Sequence, residues 1–263
     1  NFIFQPAEEG IGGAKAMIDD GLFERFSCEA VFGMHNRPSL PVGSFAVRSG
    51  AMMAGGGFFD IKVTGKGAHG ARPETGVDPV IVAAHIATAL QTVVSRNVPP
   101  VETAVVSVTK IHAGDAYNVI PQSALLAGTV RAFSRNVMDQ IGAAVRRIAR
   151  GVAEGLGASA EVDLSWKFAP TVNDAREAEF AAAVCAELVG RERVERNPPL
   201  IMASEDFSLM LEKVPGCYVN IGNGEGESGC EVHNPGYDFN DRALPLGVGF
   251  FARLVETRLG RSA

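Results

Sequence analysis

The hydrophobic pattern of residues 56–168 restricts the possible folds more than any other feature of this sequence. Alternating apolar and polar residues, or short apolar runs, predict four strands, at 59–64, 103–111, 123–133 and 162–168. Apolar residues at helical spacing predict a helix after the first strand and another before the last. The order β-α-β-β-α-β is the split βαβ, or ferredoxin-like, unit. This unit is self-contained, because both helices can cover one face of its four strands.

Residues before this unit follow the strand–helix–strand rhythm of a parallel α/β layer. The apolar run at 2–4 predicts a short buried strand. Apolar residues from Ala14 to Leu22 predict a helix, which Gly21 is placed to end, and the run at 30–34 predicts a second strand ending at His35.

The same α/β rhythm returns after residue 168. The pattern predicts a helix at 177–189 with Gly190 as its stop, a buried strand at 217–221 and a closing helix at 245–259. The apolar face of that last helix is predicted to hold Phe251, Leu254, Val255 and Leu259. The sequence therefore predicts an α/β protein: a domain formed by 1–55 and 169–263, interrupted by an α+β domain at 56–168.

Composition excludes several classes of function. Twenty-four Lys and Arg residues against 30 Asp and Glu give a net charge of −6, and no basic stretch favours a nucleic-acid partner. No run of about 20 apolar residues predicts a membrane span. The four cysteines form no Cys-x-x-Cys pair and predict no disulfide framework, which favours a reducing cytoplasm.

The first concentration of chemistry is Gln5–Gly10, which follows a predicted strand and precedes a predicted helix, where α/β sheets usually place their sites. Its adjacent carboxylates, Glu8 and Glu9, point in different directions on an extended backbone. One can therefore ligate a metal while the other faces a water molecule. The alternative is a solvated acidic helix start that the helix dipole favours.

Two histidines extend this pattern. His35 ends an apolar run, and His233 lies in a Gly-rich polar loop ahead of the closing helix. Each alone is typical of a structural or surface histidine. Together with Glu8 and Glu9 they supply two imidazoles and two carboxylates at the ends of α/β elements, the ligand types that suit Zn²⁺ or Mn²⁺.

Seven motif segments follow one another along the chain: Gln5–Gly10, Gly33–His35, Gly65–Gly70, Asn118–Pro121, Gly128–Arg131, Ser204–Phe207 and His233–Pro235. Together they resemble the M20 family of metallopeptidases. The resemblance is closest to its amidohydrolase branch, which contains hippurate hydrolases, N-acyl-amino-acid amidohydrolases and indole-acetyl-amino-acid hydrolases. It implies a zinc-peptidase-like catalytic domain with an inserted ferredoxin-like lid and dimerisation domain, and hydrolysis of the amide bond of N-acyl amino acids.

The resemblance also implies a metal centre. Glu8 would be the general base that accepts a proton from water and returns it to the leaving amine. Glu9 and His233 would ligate one divalent ion, and His35 would ligate a second. Both ions would be Zn²⁺ or Mn²⁺.

Residues of the inserted domain complete the implied site. His69, which alone is typical of a turn histidine, would reach across from a partner subunit and stabilise the oxyanion. Asn118 and Arg131 would hold the substrate, and Arg131 suits a free α-carboxylate through bidentate pairing, although alone it is typical of an exposed strand charge. His85 and His112 match no ligand of the family and are interpreted as structural.

Two features remain open at this stage. Glu205 and Asp206 belong to the resemblance but receive no chemical step, and a supporting role is the default. The family's His-Ala-Cys-Gly-His-Asp segment, which supplies further ligands upstream of Gln5, has no counterpart in these 263 residues. We therefore expect an incomplete catalytic domain that lacks its N-terminal portion and holds a partial ligand set.

The partial ligand set leaves alternative functions open. The chain is expected to act on a small N-acyl amino acid and to form a homodimer through the lid. A catalytically inactive, truncated fragment that serves only as a dimerising or binding module is the alternative from another class. Within the family, a carboxypeptidase or an N-acetyl-diaminopimelate deacetylase would share the same metal machinery.

Overall fold

A computed structural model describes residues 1–10, 12–224 and 229–260. The chain divides into two compact units. The first unit contains Asn1–Met53, Thr171–Ile201 and Glu205–Ala263, and the second contains Ala54–Pro170 and Met202–Ser204. Each unit has its own sheets and its own hydrophobic core.

The regular elements are numbered in chain order. The α-helices are α1 (Gly13–Asp19), α2 (Leu22–Arg25), α3 (Pro79–Thr92), α4 (Arg135–Gly155), α5 (Ala175–Val189), α6 (Ser208–Leu211) and α7 (Leu244–Leu259). The strands are β1 (Val31–Arg37), β2 (Phe45–Ala46), β3 (Gly50–Met53), β4 (Gly55–Thr64), β5 (Ala68–His69), β6 (Ala104–Ala113), β7 (Val119–Ile120), β8 (Ser123–Ala132), β9 (Ser159–Phe168), β10 (Thr171–Asn173), β11 (Val194–Glu195) and β12 (Gly216–Gly222).

The first unit is built on a four-stranded sheet in the order β1-β12-β2-β11. β1 and β12 are parallel, and their register places His35 beside Asn220. All seven residues of β12 are buried, as expected for a strand that is covered on both faces. Helices α5 and α7 contribute to the core on one side, around Phe45, Val219 and Phe250. A second core, around Met52, Phe207 and Tyr218, includes residues of α1 and α6.

The second unit is built on an antiparallel sheet in the order β6-β8-β4-β9. Along the chain the elements run β4, α3, β6, β8, α4 and β9, which is the split βαβ arrangement. Phe59, Ile61 and Val63 are buried under the two helices, whereas the intervening Asp60 and Lys62 are exposed, so the period of two is that of a half-buried strand.

Local signals account for where the two long helices of this unit begin. The Asp78 side chain accepts a hydrogen bond from the Val80 amide at 2.8 Å, and Pro79 occupies the first helical position of α3. The Ser134 hydroxyl accepts a hydrogen bond from the Val137 amide at 3.3 Å, which caps α4 in the same way.

Most predicted elements are confirmed, but two predictions were wrong. Residues 2–4 form no strand, and Phe2 and Phe4 are exposed. An apolar run becomes a strand only where a partner strand pairs with it, and none pairs with this run in the part of the chain that the structure describes. In α7 the buried residues include Phe250 and Leu254, whereas Val255 and Leu259 are exposed.

The helical stretch Pro79–Asn97 is the one candidate membrane span among the described residues. It has 19 residues and a mean hydropathy of 1.2, and 33% of it is buried inside the protein. Its buried stripe, which includes Val82, Ile86 and Leu90, packs in the core of the second unit. The length and composition of this helical stretch therefore do not by themselves assign it to a membrane.

Candidate active site

Glu8 and Glu9 lie in a tight turn immediately before α1. The Gly10 amide donates a hydrogen bond to the Glu8 carbonyl at 2.5 Å, and the Gly13 amide donates one to the Ala7 carbonyl at 3.3 Å. Ala7 has a φ of 54°, a left-handed conformation that is uncommon outside glycine. A Cβ atom on Gly13 would lie 1.6 Å from the carbonyl oxygen of Pro6, so the chain folds back on itself where only glycine fits.

The Glu8 carboxylate faces two further carboxylates that come from the segment before α6. One ligand oxygen each of Glu8, Glu205 and Asp206 lies within 4.8 Å of the others. Glu8 is half-buried, whereas Glu205 and Asp206 are only 6% and 1% exposed. Burial, and then the charges of Glu205, Asp206 and Glu9, raises the pKa of Glu8 to about 7.

Glu205 is fixed by the sheet that underlies it. Its Oε2 atom accepts a short hydrogen bond from the Tyr218 hydroxyl on β12, and its Oε1 atom accepts one from the Phe207 amide at 3.2 Å. The rings of Phe207 and Tyr218 pack with their centroids 5.4 Å apart. Burial, together with the neighbouring Glu205 carboxylate, raises the pKa of Tyr218, so this phenol remains a hydrogen-bond donor.

Glu9 and His233 are brought together from distant parts of the chain. The Nδ1 atom of His233 lies 3.8 Å from the Oε1 atom of Glu9, and both side chains are exposed. His233 has a φ of 68°, in the left-handed region, within a turn in which the Asn234 amide donates to the Glu231 carbonyl at 3.3 Å. A carboxylate and an imidazole side by side form half of a typical zinc or manganese ligand set.

His35 lies near the C-terminal end of β1, exposed at the edge of the sheet. Its ring centroid is 6.5 Å from that of Tyr218, and its Nδ1 atom is 2.6 Å from the Asn36 carbonyl oxygen. The Asn36 side chain makes a short hydrogen bond to the Tyr237 hydroxyl. The end of β1 is therefore tied to the loop that carries His233.

The structure thus groups the predicted residues of the first unit in two neighbouring sets. The set around Glu8 contains Glu205 and Asp206, and it is the only group of three or more potential metal ligands among residues 1–10, 12–224 and 229–260. The other predicted ligands comprise the Glu9–His233 pair and His35. Their imidazole and carboxylate donors fit a divalent transition metal, although they would fill only part of its coordination sphere.

The second unit carries the remaining predicted residues. His69 ends β5, opposite Val119 of β7, and the Gly70 amide donates to the Asn118 carbonyl at 2.7 Å. His69 and Asn118 are therefore neighbours on one small exposed ribbon. The Ala71 amide donates to the Nδ1 atom of His69 at 3.1 Å, so the neutral imidazole carries its proton on Nε2 and can donate from that atom.

Arg131 projects from β8 of the second unit. Its Nη1 atom donates to the Thr129 hydroxyl at 2.6 Å and to the Val130 carbonyl at 2.8 Å, and the guanidinium lies 5.9 Å over the Phe58 ring. Burial lowers the pKa of Arg131, which indicates a guanidinium partly removed from water. His85 on α3 and His112 on β6 are both exposed.

The sequence pattern gave no reason to single out Tyr218. It lies in the apolar run predicted as the strand at 217–221, where a tyrosine fits as an ordinary core residue. A phenol in a strand predicted to be buried was the available signal, because a buried hydroxyl requires a hydrogen-bond partner. Only the fold shows that this partner is Glu205.

Comparisons with known proteins agree on the family. The model of peptidase family M20/M25/M40 matches residues 1–257. The chain is 39% identical over 255 residues to hippurate hydrolase of Campylobacter jejuni, covering 97% of this chain and 66% of that protein. It is 40% identical over 257 residues to N-acetylcysteine deacetylase of Bacillus subtilis, covering 97% of this chain and 65% of that protein. The chain thus spans about two thirds of the length of these relatives.

Solved structures show the same fold. The YXEP protein of Bacillus subtilis, described as a dinuclear metal binding peptidase from the M20 family, superposes with a TM-score of 0.81 at 33% identity, covering 98% of this chain and 64% of that one. An aminobenzoyl-glutamate utilization protein from Klebsiella pneumoniae superposes with a TM-score of 0.73 at 22% identity, covering 99% of this chain and 62% of that one.

Proposed function

Because the chain belongs to peptidase family M20/M25/M40, we propose that it acts in metal-dependent hydrolysis of the amide bond of N-acyl amino acids, releasing a carboxylic acid and an amino acid. The observation that carries the proposal is the arrangement around the turn before α1. There the half-buried Glu8 faces the buried carboxylates of Glu205 and Asp206, while the adjacent Glu9 lies 3.8 Å from His233.

In this proposal Glu9 and His233 hold one divalent cation and His35 holds a second, either Zn²⁺ or Mn²⁺. When bound, such a pair of cations acidifies water and polarises the scissile carbonyl. The chain described here supplies only part of each ligand set. The family implies that the remaining ligands come from a segment N-terminal to Gln5.

Glu8 is the proposed general base. Its carboxylate accepts a proton from the attacking water and returns it to the nitrogen of the leaving amine. The pKa of about 7 in the metal-free protein falls when positive charge is held at Glu9 and His233, which favours the carboxylate needed for proton abstraction. Glu8 and Glu9 can divide these tasks because the Glu8 carboxylate lies beside Glu205 and Asp206, whereas that of Glu9 lies beside His233.

We assign residues 1–55 and 169–263 to the catalytic domain and residues 56–168 to a lid that also forms a homodimer. His69 would donate from Nε2 to the oxyanion, Asn118 would hold the substrate beside it, and Arg131 would bind the α-carboxylate of the amino acid. The tautomer of His69 and the partial burial of Arg131 support these roles. A cytoplasmic location is supported by the free thiols of Cys28 and Cys217.

The similarity to hippurate hydrolase favours an N-acyl amino acid as the substrate class. A deacetylase specificity within the same chemistry is the second candidate, and the 40% identity to N-acetylcysteine deacetylase supports it. A carboxypeptidase specificity is the third, supported by 36% identity to thermostable carboxypeptidase 2 of Saccharolobus solfataricus.

The test is a panel assay combined with metal analysis. Hippurate, N-acetyl amino acids, N-acetyl-diaminopimelate and a short peptide are offered in the presence of Mn²⁺ or Zn²⁺, and bound metal is measured on the same protein. Glu8→Gln should retain metal but lose hydrolysis, whereas Glu24→Gln, the same change at an exposed residue of α2, should leave both intact. Turnover by Glu8→Gln contradicts the mechanism. Absence of both metal and turnover in the unaltered chain favours the dimerising or binding module instead.

A further inference from the structure

Asp206 makes two hydrogen bonds that hold both ends of the turn carrying Glu8 and Glu9. Its Oδ1 atom accepts from the Gln5 side-chain amide at 2.5 Å, and its Oδ2 atom accepts from the Ala14 main-chain amide at 2.9 Å. Gln5 lies before the two glutamates and Ala14 lies after them. A single buried carboxylate therefore closes the turn from outside.

Asp206 also replaces a missing helix cap. The N-cap residue of α1 is Gly12, which makes no side-chain hydrogen bond to the free amides of the first turn. The Ala14 amide is one of these, and it is satisfied by Asp206 from a distant part of the sequence. Without that acceptor, a buried main-chain donor at the start of α1 would have no partner in the described residues.

Asp206 itself stands on a rigid support. It is only 1% exposed, and its carbonyl accepts a hydrogen bond from the Leu209 amide at 2.9 Å. The preceding residue, Glu205, is held to β12 by Tyr218, and the following residue, Phe207, packs on the same ring. Asp206 and its two neighbours thus connect β12 of the sheet with the turn that carries Glu8 and Glu9.

We propose that Asp206 is a positioning residue, which orients Glu8 and Glu9 by fixing Gln5 and Ala14 on either side of them. Its effect on catalysis rests on the proposed function, whereas the fixing of the turn rests on the two hydrogen bonds alone. Both oxygens of Asp206 already accept hydrogen bonds, one from the main chain. This arrangement favours anchoring over coordination of a metal by Asp206.

Because Asp206 is the acceptor in both hydrogen bonds, a matched set of variants can remove, reverse or restore the donor–acceptor pairs. Asp206→Ala removes both acceptors. Asp206→Asn keeps an oxygen for the Ala14 amide, and its new amide group can donate to the Gln5 side chain once that side chain flips. Gln5→Glu places two carboxylates against each other, and the double variant Gln5→Glu with Asp206→Asn restores a donor–acceptor pair. Glu177→Ala is the control, because it removes another buried carboxylate of the first unit, which pairs with Arg258 at 2.7 Å.

Hydrogen exchange on this chain tests the anchoring independently of activity. In Asp206→Ala the buried Ala14 amide loses its acceptor, and in Gln5→Glu the new carboxylate displaces Asp206. Amides of α1 should therefore exchange about tenfold faster in both variants. Asp206→Asn and the double variant should exchange at rates close to the unaltered chain. Glu177→Ala should leave α1 unaffected. Equal exchange of α1 in Asp206→Ala and the unaltered chain overturns the proposal.

Steady-state kinetics on the active enzyme test the consequence for catalysis. Misplacement of the turn should lower kcat by about 10²-fold in Asp206→Ala and Gln5→Glu, with a smaller change in KM. The double variant should recover at least part of the loss relative to Gln5→Glu. An unchanged kcat in Asp206→Ala, or a loss equal to that of Glu177→Ala, overturns the positioning role. If the unaltered enzyme hydrolyses none of the panel, the proposed function fails, and hydrogen exchange alone decides whether Asp206 anchors the turn.

Discussion

Asn173 offers the most quantitative test of how the first unit is held together. This residue of β10 is 2% exposed, and its side chain makes three buried or partly buried hydrogen bonds to main-chain atoms. Its Nδ2 atom donates to the carbonyls of Arg48 at 2.8 Å and Tyr218 at 3.0 Å, and its Oδ1 atom accepts from the Tyr218 amide at 2.7 Å. The side chain therefore fixes the main chain of the residue whose hydroxyl holds Glu205.

The expected loss of stability follows from these three partners. Asn173→Ala leaves two carbonyls and one amide without their partner, at about 1–3 kcal/mol for each buried group. Because water can enter the space and satisfy some of them, we expect the free energy of unfolding to fall by about 3–5 kcal/mol. That is a large part of the stability of a typical domain, about 5–15 kcal/mol.

Asn173→Asp separates hydrogen bonding from size. The aspartate keeps the acceptor for the Tyr218 amide but places an oxygen opposite two carbonyls. Burial and these carbonyls would raise the pKa of the new carboxyl in the folded state. Its protonated form can donate to one carbonyl, so the variant should regain stability as the pH falls below neutrality and lose it as the pH rises.

The assay is urea unfolding of each variant, followed by labelling of the buried thiols of Cys185 and Cys217, which lie in the core of the first unit. Fluorescence of the single tryptophan, Trp166, reports on the second unit in the same samples. Asn197→Ala is the control, because Asn197 makes one exposed hydrogen bond to the Arg48 side chain at 2.6 Å. If Asn173→Ala lowers the midpoint of thiol exposure no more than Asn197→Ala does, the assignment of this stability to Asn173 is refuted.

Three further outcomes are expected. In metal-free buffer, Glu8→Gln should raise the melting temperature at pH 8 but not at pH 4. The pKa of Glu8 is raised in the folded state, so the unaltered protein loses stability as the pH rises from 4.5 through about 7. An equal effect at both pH values contradicts this. Gly33→Ala should lower the free energy of unfolding by about 1–3 kcal/mol in thermal unfolding. Its Cβ would lie 3.0 Å from the Tyr218 ring and 3.1 Å from the Phe207 ring, so adding Phe207→Leu should relieve part of that loss. Arg131→Lys in the active enzyme should raise KM for substrates with a free α-carboxylate, because lysine cannot pair bidentately, and an unchanged KM argues against that contact.

The second unit shows how much of the structure local sequence patterns can predict. The period of two along β4 and the helical spacing of apolar residues in α3 are confirmed, and α3 begins at the local signals Asp78 and Pro79. These features depend on residues a few positions apart, so the sequence contains the whole of the physical cause. The run at 2–4 failed for the opposite reason, because a strand also depends on a partner that hydrogen-bonds to it.

The candidate site also combines features that the sequence shows with features that only the fold creates. Glu8 and Glu9 stand out in the sequence as adjacent carboxylates at a predicted element boundary, and His35 stands out as the end of an apolar run. The pairing of Glu9 with His233 followed only from a family resemblance, and their 3.8 Å separation is a property of the fold. The closing helix gives a similar lesson, since its apolar residues cover more than one face and only packing selected Phe250 over Val255.

The sequence by itself determined most of the long helices and strands, where the long helices begin and which family the motifs resemble, because those signals lie in short-range periodicity and in residue identity. Only the tertiary structure decided which side chains surround the turn before α1. Asp206 reaches Gln5 and Ala14, and Tyr218 reaches Glu205, across long stretches of chain. Such contacts are created when distant segments pack against one sheet, and no local pattern encodes the distances between them.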